Sequence, residues 1–217
     1  MSHYASRMRA PKTLTLDEQD RLLRITGEHS RGYRDHILIA VGLGLGLRIH
    51  EVAALDCGDV YDRNGKTRRR IELRVFKRSN RNEQAQCVHV PDALKYKLEK
   101  FRRWKSTRGE SLKSGDPLFV THTGSRHGPK GSRMSVRSIA HAFNGWLVRL
   151  GYAPDSRGRF PFSFHSLRHT CGTNLFRKTK DLRLVQRQLR HGSINSTLIY
   201  TTPSDDDVAR GVRDLDC

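Results

Sequence analysis

The spacing of hydrophobic positions predicts a helical first third of the chain. The stretch TLDE, residues 15–18, has the Ser/Thr-x-x-Glu form of a capping box, so we expect a helix from there to about residue 26. Residues 34–46 are apolar enough for a buried helix. RIHEVAALDCGDV, residues 48–60, has the spacing of one short amphipathic helix.

The period then changes to two, which is typical of strands. Apolar residues alternate with polar ones over residues 71–75, and a second short apolar stretch at 87–90 follows a polar turn. This pattern predicts a hairpin or a three-stranded antiparallel sheet.

Helical spacing dominates again after the sheet. We expect helices at 92–104, 135–150, 165–177, 181–191 and 193–200. Residues 105–134 are polar and basic, which predicts a long loop with one short strand at PLFVT, residues 117–121. The predicted fold class is α+β, mainly α-helical with a small antiparallel β-sheet.

Three glycines at alternate positions, Gly42, Gly44 and Gly46, raise the question of a phosphate-binding loop. A dinucleotide fingerprint needs G-x-G-x-x-G, but Leu47 and Ile49 stand where the third glycine belongs. The Gly-Lys-Ser/Thr of a P-loop is also absent here. We therefore interpret these glycines as packing or turn residues of the second helix.

Charge changes the picture more than any other global property. The chain has 217 residues, and 41 Lys and Arg against 22 Asp and Glu give a formal net charge of +19 at pH 7. Positive charges in such an excess repel one another in a folded protein, which indicates a polyanionic partner. Nucleic acid is the first candidate for that partner. The basic residues recur in KTRRR, FKRSNR, KFRRWKSTR and SRHGPKGSR, where we expect contacts to the phosphate backbone.

Other classes of protein fit the sequence poorly. No apolar run approaches the roughly 18 residues of a membrane helix, and the basic stretch at residues 1–12 lacks the apolar region of a secretory signal. We expect a cytoplasmic, nucleoid-associated protein with a flexible basic tail at 1–12. No C-x-x-C pair occurs, so we expect reduced thiols and no metal site; the cysteines are Cys57, Cys87, Cys171 and Cys217.

Six polar residues outside these patterns suggest a chemistry: Arg48, Lys77, His165, Arg168, His191 and Tyr200. Attack on a phosphodiester builds negative charge around phosphorus, and fixed arginine forks stabilise it where no divalent ion does so. Tyr200 is the candidate nucleophile; an ordinary phenol pKa near 10 means that it needs a base, for which we expect His165. A lysine on the hairpin can protonate the departing 5′ oxygen, with Lys66 and Arg78 as alternatives to Lys77.

Three stretches of this chain resemble the catalytic boxes of tyrosine recombinases of the phage integrase family. They are GLRIHEVAAL with Arg48 and Glu51, HSLRHTCGTNL with His165, Arg168 and His169, and LRHGSINSTLIYT with His191 and Tyr200. The resemblance spans roughly residues 13–203 and implies an integrase-type catalytic domain there. It also implies that Lys77 is the hairpin lysine and that Glu51 and His169 support the catalytic residues.

The resemblance further implies a reaction. Tyr200 would attack a scissile phosphate, form a 3′-phosphotyrosine link and release a 5′-hydroxyl, with no metal, ATP or other cofactor. A second strand would reverse the step through a Holliday junction, within a homo-tetramer on double-stranded DNA that is monomeric when free, helped by accessory DNA-bending proteins. We expect phosphate contacts from Arg78, Arg81, Lys130, Arg133 and Arg190; the last replaces the usual glycine of a Leu-Gly-His motif.

Several alternatives stay open. Only about a dozen residues precede the catalytic region, so the chain is either an excised catalytic domain or a compact recombinase such as the fimbrial DNA-inversion type. We expect the tail at 204–217 to form a short helix that packs in trans. Integration or excision, inversion and dimer resolution compete as uses. A type IB topoisomerase and a catalytically silent DNA-binding regulator are the rival functions, although the intact residue set argues against the regulator.

Overall fold

The computed structural model describes residues 12–29, 32–74, 86–123, 129–200 and 212–213. This part of the chain is mainly helical with a small antiparallel sheet, which confirms the predicted fold class. None of its helices combines the length and the apolar character needed to cross a membrane. The predicted site residues Lys77, Arg78 and Arg81 lie outside the described residues, and so does the tail at 204–217 except for residues 212–213.

In chain order the elements are α1 (Leu16–Glu28), α2 (Tyr33–Leu45), α3 (Ile49–Ala54), α4 (Cys57–Val60), β1 (Arg70–Glu72), β2 (Cys87–His89), α5 (Asp92–Thr107), α6 (Val136–Arg149), α7 (Phe164–Thr179), α8 (Leu182–Leu189) and α9 (Asn195–Leu198). Strands β1 and β2 pair in antiparallel register, with Ile71 opposite Val88. Local capping fixes several helix starts. In α1 the backbone N–H of Glu18 donates to the Thr15 hydroxyl, and the Glu18 carboxylate accepts from the Thr15 N–H, as the capping box predicts.

Two predicted elements need correction. The helix predicted over 48–60 is two helices, because the chain breaks at Leu55 and Asp56 then caps α4. The carboxylate of Asp56 also binds the guanidinium groups of Arg74 and Arg133, which holds this break in place. The stretch PLFVT forms isolated bridges in place of a strand, from Pro117 to Asp56 and from Val120 to Arg133.

Helix α5 is three residues longer than the spacing indicates and takes in part of a basic stretch that was expected to lie in a loop. The side chain of Lys105 is completely buried there, with its ammonium 2.9 Å from the Glu110 carboxylate. That ion pair, together with the Phe101 ring 5.8 Å from the ammonium, offsets the cost of burying the charge. Lys105 is therefore a structural residue.

Helix α2 lies at the centre of the fold, and its glycines set how closely its neighbours approach. A Cβ on Gly42 would lie 2.8 Å from the Leu167 side chain of α7, and one on Gly44 would lie 3.0 Å from Leu94 of α5. These two positions are about 200° apart around the helix axis, so α5 and α7 pack on opposite sides of α2. The interpretation of these glycines as packing residues is confirmed.

A second, smaller apolar cluster joins the last helices to α7. It consists of Cys171, Val185, Leu189 and Tyr200, with Leu175, Phe176 and Ile199 packed against it. Helices α8 and α9 are therefore anchored on the second half of α7. This packing brings the last of the three sequence boxes next to the middle one.

Gly46 is the position at which α2 most needs a glycine. Its φ is +62°, and a Cβ there would lie 2.3 Å from Leu189 and 3.2 Å from the Cys171 sulfur. We expect Gly46→Ala to lower the free energy of unfolding by about 3 kcal/mol, from left-handed strain and overpacking together. Urea denaturation followed by circular dichroism measures this change.

Gly145→Ala is the matched control, because Gly145 lies inside α6 and a Cβ there meets nothing within 4 Å. Replacing a glycine within a helix by alanine should raise the free energy of unfolding by about 1 kcal/mol. Equal stability of the two variants would contradict the role given to Gly46.

Candidate active site

The guanidinium of Arg168, on α7, is buried to 2% exposure. Its Nη1 donates to the carbonyl of Gly46 at 2.5 Å, and its Nη2 donates to the carbonyl of Leu189. Gly46 caps α2 and Leu189 is the last residue of α8, so both acceptors lie at the negative ends of helix dipoles. Burial and the charges of Arg48 and Arg190 lower the pKa of Arg168 to about 10, which still leaves it charged at neutral pH.

Glu51 is the carboxylate that binds both Arg48 and Arg190, and its side chain is completely buried. It accepts from the backbone N–H of Arg48 at 2.7 Å and from the Arg48 guanidinium at 3.1 Å. Arg190 donates to it at 2.5 Å. Burial alone would raise the pKa of Glu51, but the charge of Arg190 and the bonds from Arg48 hold it below its ordinary value. Glu51 is therefore ionised and is bonded to two arginines.

Arg48 lies between α2 and α3, where the chain is extended and caps the next helix. Its side chain keeps 23% of its surface exposed, in contrast to the completely buried carboxylate that it contacts. One end of this guanidinium is therefore fixed inside the protein while part of the group remains accessible to a ligand.

Four aromatic rings line up beside these arginines. The hydroxyl of Tyr200 lies 3.1 Å from Nδ1 of His169, and the ring of His191 stacks on Tyr200 with 6.1 Å between centroids. His165 meets His169 edge to face at 4.7 Å. Nδ1 of His191 lies 3.0 Å from the Thr197 hydroxyl, which fixes the orientation of that ring.

The position of the Tyr200 ring depends on a small residue in α7. A Cβ on Gly172 would lie 2.7 Å from the Tyr200 ring and 2.9 Å from Leu189. Tyr200 itself is only 7% exposed, so it cannot simply move outward to make room. No pattern in the sequence indicates this role for Gly172, because it depends on the contact between α7 and Tyr200, two residues after the end of α9.

Burial keeps the rings neutral at physiological pH. Burial first, and then the charge of Arg168 among others, lowers the pKa of His169 to about 4 and that of His191 to about 3. The pKa of His165 is also lowered, by partial desolvation and then by the charges of Arg168 and Arg48. Desolvation raises the pKa of Tyr200 to about 12, although the Arg168 charge opposes this. A neutral imidazole therefore faces a neutral phenol.

The expected partner of Tyr200 was His165, and here the structure differs. His169 is the histidine within hydrogen-bond distance of the Tyr200 hydroxyl, while His165 is exposed at the rim of the cluster. The two histidines are four residues apart on α7 and so share one face of the helix. That spacing was available in the sequence, but it does not say which of the two is nearer to a residue in another element.

The predicted phosphate contacts have different outcomes. Arg190 was expected to face phosphate, but its guanidinium is paired with the Glu51 carboxylate, whereas the Arg168 guanidinium donates to neutral carbonyls. Arg133 donates to Asp56 and to the carbonyls of Ala53 and Leu55, with 39% of its side chain exposed. Lys130 is exposed, and so is Lys66, in the turn before β1. DNA contact by Arg133 and Lys130 stays a prediction.

Together these groups offer charged guanidiniums, neutral imidazoles and one phenol in a single cluster. Such a set suits an anion with a reactive centre, because arginine forks match the oxygens of phosphate. Within the described residues, no three His, Cys, Asp or Glu side chains are grouped as metal ligands would be.

Comparison with solved structures gives the same fold. The crystal structure of XerA recombinase matches with a TM-score of 0.66 at 23% identity, covering 94% of this chain and 64% of that one. XerH site-specific recombinase bound to palindromic difH substrate, in a post-cleavage complex, matches with a TM-score of 0.68 at 22% identity, covering 95% of this chain and 54% of that one.

Curated relatives include tyrosine recombinase XerC of Herpetosiphon aurantiacus, 32% identical over 200 residues, which are 90% of this chain and 57% of the relative. XerC of Vibrio parahaemolyticus is 30% identical over 192 residues, 88% of this chain and 54% of the relative. This chain thus spans little more than half the length of these relatives. The sequence model of the phage integrase family matches residues 12–207. The chain therefore belongs to the phage integrase family.

Proposed function

We propose that this chain is the catalytic domain of a site-specific recombinase that cuts and rejoins double-stranded DNA through a 3′-phosphotyrosine intermediate. The observation that carries the proposal is the hydroxyl of Tyr200 on neutral His169, beside the arginines Arg48 and Arg168. The family supports it, as do relatives named tyrosine recombinases and an XerH structure described as a complex with difH substrate.

The scissile phosphate would bind between Arg48 and Arg168. A guanidinium keeps its charge in a buried site and bonds phosphate oxygens in its own plane. Arg168 is already fixed by two carbonyls, so it needs little reorganisation when charge builds on the phosphorane. His191, oriented by Thr197, is a further donor for a phosphate oxygen.

In the cleavage step the oxygen of Tyr200 would bond to phosphorus while its proton passes to Nδ1 of His169. The bond from phosphorus to the 5′ oxygen breaks, and that oxygen takes a proton, which we assign to Lys77. The phosphotyrosine ester conserves the energy of the broken bond, so rejoining needs no ATP. We assign the charge stabilisation to arginines and expect no metal requirement.

The working form would be a homo-tetramer on DNA, with exposed basic side chains such as Lys130 following the phosphate backbone. Residues 13–203 would form the catalytic domain and residues 204–217 a tail helix that packs in trans on a neighbouring copy. The surplus of positive charge, +19 over the whole chain, supports a polyanionic partner.

Tyr200→Phe tests the nucleophile. On a duplex with a nick beside the scissile phosphate, the wild-type chain should accumulate a covalent protein–DNA adduct, because the released fragment diffuses away. The phenylalanine variant should form at least about 1000-fold less adduct, since no other oxygen replaces the phenol. Denaturing gel electrophoresis measures the adduct.

Binding of the same duplex by the phenylalanine variant is the control, and it should stay within about twofold of wild type. Adduct formed by Tyr200→Phe at the wild-type rate would remove Tyr200 from its role. Relaxation of supercoiled DNA without recombinant joints would favour a topoisomerase.

The pH dependence of cleavage tests the base. A base must be neutral to accept a proton, and a pKa of about 4 keeps His169 neutral throughout pH 5–8. The single-turnover rate should therefore show no histidine inflection near 6.5 and should vary by less than about twofold from ionisation of His169 over this range. Circular dichroism at each pH controls for unfolding. A fall of about threefold or more between pH 7 and 6 with the fold intact, which a base with the ordinary histidine pKa would give, would contradict the assignment.

Lys77→Ala tests the acid, a residue outside the described part of the chain. Removing a general acid should slow cleavage by about 100-fold or more. A substrate with sulfur in place of the 5′ oxygen needs no proton on its leaving group, so the variant should cleave it at nearly the wild-type rate. Equal losses on both substrates would transfer the role to another cation, with Lys66→Ala and Arg78→Ala as the comparison variants.

A further inference from the structure

Arg190 occupies a backbone position that ordinarily suits glycine. It caps the C-terminus of α8 in the left-handed conformation, with φ 55° and ψ 50°. Among the described residues, only Lys180 shares a positive φ without being glycine. A non-glycine residue in the left-handed region carries backbone strain. We therefore expect its side chain to make a contact that compensates for this strain.

The two left-handed caps differ in where their side chains lie. Lys180 is exposed at the end of α7, whereas Arg190 is 3% exposed at the end of α8. The guanidinium of Arg190 and the carboxylate of Glu51 lie 2.5 Å apart, and neither side chain has any exposed surface. The long side chain of Arg190 thus crosses from the end of α8 to helix α3.

Glu51 is shared between two arginines. Its Oε2 accepts from Arg190 and from the backbone of Arg48, while its Oε1 accepts from Nη1 of Arg48. A buried carboxylate needs full compensation of its charge. Because Arg190 supplies one cation, the Arg48 guanidinium makes a single bond to Glu51, and 23% of its side chain remains exposed.

We infer that Arg190 is a positioning residue for the cleavage reaction: it shares the charge of Glu51 and so leaves the outer donors of Arg48 free for the scissile phosphate. This inference rests on the proposed function, because it gives Arg190 a role in presenting a catalytic arginine. It replaces the expectation that Arg190 itself faces phosphate.

Removal of Arg190 has a specific consequence. Arg48 then becomes the only arginine bonded to the buried carboxylate of Glu51. The uncompensated charge of Glu51 draws the outer nitrogens of the Arg48 guanidinium towards it. The transition state then loses part of its charge stabilisation, while the ground-state contacts along the DNA backbone remain. Cleavage should slow with little change in affinity. A direct phosphate contact would behave differently, since its loss weakens binding and reduces the salt dependence.

The experiment compares Arg190→Gly with Lys180→Gly, which relieves the same backbone strain at an exposed cap. On the nicked duplex we expect Arg190→Gly to cleave about tenfold more slowly and Lys180→Gly to cleave at the wild-type rate. Affinity for the duplex, measured with Tyr200→Phe also present to prevent cleavage, should stay within twofold at several salt concentrations. Arg190→Lys keeps a cation at this position and should recover most of the rate.

Glu51→Gln supplies the discriminating step. When Glu51→Gln is combined with Arg190→Gly, the negative charge that draws the Arg48 guanidinium inward is removed. The double variant should therefore cleave at least threefold faster than Arg190→Gly alone. A merely structural role for Arg190 predicts that the second substitution makes cleavage slower still. Wild-type cleavage by Arg190→Gly, a parallel loss of affinity, or a slower double variant would each overturn the inference.

A readout without catalysis separates this inference from the proposed function. In ¹⁵N-edited NMR spectra, hydrogen exchange of the Arg48 guanidinium should be slower in Arg190→Gly than in the wild-type chain. In the double variant the exchange rate should return to the wild-type value. Failure of the wild-type chain to form any adduct, with these exchange rates as expected, would count against the recombinase function alone. Unchanged Arg48 exchange would count against the inference whatever the activity.

Discussion

The structure depends on the cost of burying the charge of Arg168. A guanidinium at 2% exposure needs acceptors, and here it uses the carbonyls of Gly46 and Leu189. Those carbonyls are available only because Gly46 caps the end of α2 and Leu189 is the last residue of α8. Gly46 and Leu189 are also in close contact with each other. The packing of these two helix ends and the position of the Arg168 guanidinium therefore depend on each other.

The charges around this point do not balance within the described residues. Arg48, Arg168 and Arg190 carry three positive charges, and Glu51 is the carboxylate that bonds two of them. The cluster therefore has a surplus of positive charge in a site of reduced dielectric, where an anion gains more than it would at the surface. In the proposed reaction, a phosphate group that is transferred between the Tyr200 hydroxyl and a hydroxyl of DNA would supply this anion. The neutral histidines add hydrogen-bonding capacity without adding to the repulsion among the arginines.

Local signals in the sequence were sufficient for much of the fold. The capping box at Thr15 and the apolar stretches on either side of the polar turn both concern neighbours in the chain. The three boxes also identified the residues that come together. Contacts between distant elements were less accessible: His169 in place of His165 beside Tyr200, Gly172 beneath the Tyr200 ring, and Arg190 turned inward to Glu51. Each depends on how α8 and α9 pack on α7, which no periodicity encodes.

The central claim is that distant side chains converge on one phosphoryl group. Its most direct test is a crystal structure of the chain with a nicked duplex and orthovanadate, which adopts the five-coordinate geometry of the transition state. We expect vanadium bonded to the oxygen of Tyr200, with equatorial oxygens bound by Arg48 and Arg168 and with His169 adjacent to the attacking oxygen. Vanadate bound elsewhere, or bound here without contact to either arginine, would contradict the account.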